Sequence, residues 1–194
     1  MSAPRPLVGR DQSENEQLAR IRAGDVGAFE ALFKSFYAEL VGFVESYVDR
    51  TTSEEVIQEL FLALWRRRES WTPAGGVRAY LFAAARNQAL NAIRHRRSAT
   101  RVVEECAADG SIPGTNHCER TPAQQLSTTE IESACRQAIH ELPESNRLVM
   151  MLRWDYGMSH AEIAFVLGTS IKGVEAELGR GLKTLATRLS WVRA

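Results

Sequence analysis

Between Asp25 and Val48 the apolar residues Phe29, Leu32, Phe33, Phe36, Tyr37, Leu40, Val41, Val44 and Val48 recur at helical spacing without a miss. No strand can satisfy that period, because successive strand residues point to opposite faces. The chain must therefore bury one side of a long amphipathic helix, and its neighbours must supply the rest of the core. They do so with the same period. Ser13 and Glu16 form a capping box ahead of Leu18 and Ile21, and Gly24 closes that short helix. Asp25 caps the long one. A third helix is expected from about Ser53, burying Val56, Ile57, Leu60, Phe61, Leu64 and Trp65 and ending near Trp71–Pro73. A fourth, from Val77 to Arg97, is expected to turn Tyr80, Leu81, Ala84, Leu90 and Ile93 inward and its arginines outward.

From Arg101 to about Gln124 the period disappears, and Gly110, Pro113, Gly114 and Pro122 break any regular element. Helical spacing resumes near Ser127 and continues through Leu148–Trp154, Ser159–Leu167 and Ser170–Leu189, with Pro143 in a first turn where its missing N–H costs nothing. The expected fold is all-α: two small helical domains, residues 10–100 and 127–194, joined by a flexible linker over 101–126. The last two helices form a helix-turn-helix around Gly168-Thr169-Ser170.

The formal net charge is zero, but the charge is segregated. Residues 11–65 carry 11 acidic and 4 basic residues, whereas residues 66–101 carry nine arginines against the single Glu69. A basic stripe of this kind is the electrostatic footprint of a nucleic-acid partner. On the fourth helix Arg86, Asn87, Asn91 and Arg94 share one polar face, and these side-chain types pair with base edges; unstacked bases can also lie on Tyr80. A solvated face with scattered arginines is the plainer reading of the same residues. No apolar run reaches the length that spans a bilayer, and the irregular spacing of Cys106, Cys118 and Cys135 points to a reducing cytoplasm rather than a disulfide scaffold. Cys106, His117 and Cys118 lack a fourth metal ligand unless Cys135 or another residue folds back, no phosphate loop is present, and the histidines have no triad-like partners nearby in sequence. Neither an enzyme nor a cofactor is expected.

The segments Ser53–Trp65 (SEEVIQELFLALW), Arg78–Asn87 (RAYLFAAARN), Glu141–Arg153 (ELPESNRLVMMLR) and Ser159–Ser170 (SHAEIAFVLGTS), in that order, resemble the bacterial extracytoplasmic-function sigma factors. These are small sigma-70 family members that retain regions 2 and 4. The resemblance implies a transcription initiation factor whose partners are core RNA polymerase, through the beta-prime clamp helices and the beta flap, promoter DNA, and an anti-sigma factor. It assigns polymerase docking to Glu55, Ile57, Gln58, Glu59 and Phe61. Melting and recognition of the minus-10 element fall to Arg78, Tyr80, Arg86, Asn87, Asn91 and Arg94, with Arg96 and Arg97 beside them. Minus-35 recognition falls to Ser170, Lys172, Gly173, Glu175, Ala176, Arg180 and Lys183.

The recognition helix departs from the family. Glu175 and Glu177 stand where cations are common, and Gly173 sits early in the helix. Three explanations are open: a carboxylate can accept from cytosine N4, the helix can face a protein, or minus-35 recognition is weak. A helix-turn-helix regulator that acts without polymerase is the alternative to the whole reading, and it has no need of the Glu54–Trp65 and Arg78–Arg97 helices.

Overall fold

The computed structural model describes residues 10–104, 139 and 141–188, with side chains described over 14–96, 139 and 141–188. The chain divides into two compact units, residues 1–118 and 119–194. Every described element is helical.

The first unit holds α1 (Arg10–Arg22), α2 (Val26–Val44), α3 (Arg50–Arg66), a short 3-10 turn (Arg68–Ser70) and α4 (Val77–Glu104). The α1 helix starts three residues before Ser13, which therefore lies inside the helix rather than at its cap. Gly24, at φ 87°, turns the chain, and the Asp25 carboxylate accepts from the Ala28 N–H to start α2. Helix α3 also starts earlier than expected, at Arg50: Asp49 accepts from the Thr52 N–H at 3.0 Å. Ser53, fully buried, donates its hydroxyl to the Asp49 carbonyl and is an interior residue, not the first of the helix.

Helix α2 packs against α1, α3 and α4. Its deepest residues are Leu40, Phe43 and Val44, with Leu32 and Val41 beside them. Phe43, outside the expected stripe, meets Phe82 of α4 at 5.0 Å between ring centroids. Phe29, Phe33, Phe36 and Tyr37 are only half-buried; Phe29 and Phe33 meet Phe61 edge-on at 5.9 and 4.9 Å. On α4, Leu81 is buried as expected, but the seam is otherwise Ala79, Phe82, Ala85 and Ala89, while Tyr80, Ala84, Leu90 and Ile93 lie at its margin. Alanines let helix axes approach closely around Leu81 and Phe82, and Tyr80, Leu90 and Ile93 stand beside that contact. The helix runs on to Glu104, into the segment expected to begin the linker.

The second unit holds α5 (Glu144–Trp154), α6 (His160–Leu167) and α7 (Ile171–Arg188). Pro143 occupies the cap position just before α5. Ser159 and Glu162 form a reciprocal capping box on α6, and Gly168, at φ 65°, ends it. The Ser170 hydroxyl accepts from the Gly173 N–H at 3.1 Å and starts α7. Both α5 and α6 pack on α7, around Leu152, Ile163 and Val174. The helix expected from Ser127, most of the linker, and Cys106, His117, Cys118 and Cys135 lie outside the described residues.

Candidate docking face and nucleic-acid interface

Helix α3 divides cleanly into two faces. Ile57 and Phe61 are 0% and 2% exposed, so these two expected docking residues pack into the core. Glu55, Gln58 and Glu59 are exposed as expected. Leu62 joins them at 56% exposure, two turns beyond Glu55 and one beyond Glu59 on the same face. The resulting strip has two carboxylates and an amide beside an uncovered aliphatic side chain. Sequence alone does not single out Leu62, because Val56, Ile57, Leu60, Phe61, Leu62, Leu64 and Trp65 are apolar around more than one face of the helix.

On α4 the expected DNA face survives in part. Asn87, Asn91 and Arg94 are exposed on one side, and Arg94 donates to the Asn91 carbonyl oxygen at 2.9 Å. That bond engages the Asn91 amide oxygen. Arg86 is half-buried, with Nε enclosed and without a hydrogen-bond partner among the described residues. Tyr80 is half-buried against Trp71, 5.9 Å between ring centroids.

Two arginines of the stripe have acidic partners within the chain. Arg78 pairs with Glu39 of α2 at 3.0 Å and lies over the Phe82 ring, with a quarter or less of its side chain exposed. It ties α4 to α2 instead of pointing outward. Arg96 pairs with Asp49 at 2.9 Å and donates to the Thr52 hydroxyl, linking α4 to the start of α3. The Thr52 N–H and then Arg96 hold the Asp49 carboxyl down to about 2 from its ordinary 3.8. The Arg97 side chain lies outside the described residues.

In the helix-turn-helix Ser170, Lys172, Glu175, Ala176, Arg180 and Lys183 are exposed, and Gly173 is half-buried. A Cβ at Gly173 would stand 2.7 Å from the Thr169 hydroxyl, so the glycine makes room for the turn that precedes it. Glu175 lies 3.8 Å from His160 at the start of α6. Glu177 behaves differently: three side chains converge on its carboxylate from α5 and α7.

Similarity to known proteins agrees with this division. The Sigma-70 region 2 family model matches residues 32–99 and the Sigma-70, region 4 model matches residues 133–185, in that order and over more than half of the chain. The sequence is 25% identical over 173 residues to the ECF RNA polymerase sigma-E factor of Haemophilus influenzae, covering 88% of this chain and 92% of that protein. It is 28% identical over 174 residues to the RNA polymerase sigma factor CnrH of Cupriavidus metallidurans, covering 88% and 91%. The solved structure of CnrH in complex with the cytosolic domain of CnrY superposes with a TM-score of 0.60 at 25% identity, covering 91% of this chain and 97% of that one. A regulator acting without polymerase would need no region 2, which weighs against that alternative. With both regions present, in order, on an all-helical fold, the chain belongs to the sigma-70 family as an extracytoplasmic-function sigma factor, an initiation factor that binds core RNA polymerase and directs it to promoters.

Proposed function

We propose that Glu55, Gln58, Glu59 and Leu62 form the surface through which region 2 docks on the beta-prime clamp helices. The observation that carries this is the split of α3: its buried face completes the core, and the opposite face leaves an acidic strip ending in a bare leucine. Carboxylates steer a basic partner into register, while desolvating the aliphatic side chain at the end of the strip slows its departure.

Asn87, Asn91 and Arg94 hold the non-template strand of the minus-10 element, with Arg86 and Tyr80 at the margin of that platform. An exposed amide row offers donors and acceptors to an unstacked base, and Arg94 adds a guanidinium plane. Arg78 and Arg96 contribute by fixing the helix that carries the platform. Region 4 presents Lys172, Arg180 and Lys183 to upstream phosphates, and Ser170, Glu175 and Ala176 lie toward the base edges. The chain itself catalyses no reaction; it works in the cytoplasm, and an anti-sigma factor holds it inactive until a signal releases it. No described helix is long and apolar enough to cross a membrane.

The deciding experiment mixes the purified chain with core RNA polymerase and a library of promoter fragments. Specific transcripts that core alone does not make are expected. Their absence, with folded protein and a core from the same organism, overturns the proposal.

A further inference from the structure

Glu177 stands on the helix that is proposed to read DNA, yet its bonds run inward. Asn146 of α5 is 5% exposed, and its amide N–H group donates to the Glu177 carboxylate at 2.7 Å and to the Glu177 carbonyl at 2.8 Å. The Ser145 hydroxyl adds a donor at 3.3 Å, and Arg180 donates to the other carboxylate oxygen. The Glu177 side chain is 24% exposed, against 57% for Glu175. One turn further along, Gly181 is buried against α5: a Cβ there would lie 2.8 Å from the Met150 sulfur. Close backbone approach at Gly181 and a buried amide at Asn146 thus fix the same seam.

From this we infer that Glu177 is a positioning residue for promoter recognition: it locks α7 to α5 through Asn146 and holds the Arg180 guanidinium where its remaining N–H groups face upstream DNA. The inference rests on the reading of α7 as a DNA-recognition helix. It removes Glu177 from the carboxylates that could read a base and leaves Glu175 alone in that role. The Asn146 amide has two N–H donors: one keeps the Glu177 backbone carbonyl whatever the side chain, and the other, buried, loses its acceptor and carries a desolvation penalty when the carboxylate is removed. Arg180 has five donors and spends one here, so most of its fork stays available for a phosphate.

The test uses holoenzyme assembled from core polymerase and the full chain, on a duplex selected from a randomised upstream library by the wild-type holoenzyme. If Glu177 merely opposed phosphates, Glu177→Lys would tighten binding and steepen the salt dependence by about one phosphate contact. Positioning predicts the reverse: Glu177→Lys and Glu177→Ala weaken upstream binding by about tenfold or more, whereas Glu177→Gln, which keeps an acceptor for Asn146, recovers most of it. Asn146→Ala, at a position that DNA cannot touch, weakens binding as Glu177→Ala does, and the double variant is no weaker than either single one. That non-additivity keeps the test decisive if Glu177→Lys fails to fold. Tighter binding by a folded Glu177→Lys, or additive losses in the double variant, overturns the inference. Lys172→Ala and Lys183→Ala report on the reading beneath it. If neither weakens binding and wild-type holoenzyme selects no upstream sequence, α7 is not a DNA reader and the inference falls with that reading.

Discussion

Ile57 and Leu62 are five residues apart on one helix and do opposite things. Replacing fully buried Ile57 with Ala removes packing and leaves a cavity, so region 2 loses about 2–5 kcal/mol in urea denaturation followed by circular dichroism. Leu62→Arg leaves that stability within about 0.5 kcal/mol and instead weakens the affinity for core polymerase, measured by titration against labelled core. Asp49 gives a third outcome at this scale. Its carboxyl is held at about 2, below its ordinary 3.8, so its contribution to stability is full above the ordinary value and is lost as pH falls toward 2. In the same denaturation assay the stability difference between wild type and Asp49→Asn, present at pH 5, closes over that window. None of these roles is legible one residue at a time. Helical spacing places Ile57 and Phe61 in the buried stripe and leaves Leu62 out of it, but spacing gives no sign that this bare leucine beside Glu59 belongs to a surface strip.

Helix α4 shows what periodicity does and does not fix. Its existence and start follow from spacing, but the residues that face inward do so only in part: alanines share the seam, Arg78 turns to Glu39, and Arg96, exposed as expected, is paired with Asp49. Such pairs join residues 39 and 47 positions apart, a separation that carries no local signal. The face that remains exposed makes a prediction. Asn87→Ala and Arg94→Ala leave polymerase binding unchanged but reduce strand opening, read as a loss of permanganate-reactive thymines around minus 10. Arg78→Ala instead lowers the melting temperature of region 2. In α7 the closest approach to another helix is at Gly181. Gly181→Leu gains helix propensity yet must displace buried Met150, so region 4 is destabilised by about 1–3 kcal/mol in thermal unfolding.

At the scale of the whole chain, two compact units predict two unfolding events. Differential scanning calorimetry on Ile57→Ala is expected to lower the transition of region 2 and leave that of region 4 in place. The charge ledger also reads differently once the fold is known. A net charge of zero conceals an acidic stretch and a basic one, and part of the basic stretch is spent on internal pairs, so the number of free cations facing nucleic acid is smaller than the sequence suggests. The two-faced α3 has a consequence for descent. One side of that helix completes the core, and the other carries the proposed docking surface. After gene duplication, a copy could exchange Glu55, Gln58, Glu59 and Leu62 and drift toward a different polymerase while inheriting its core unchanged.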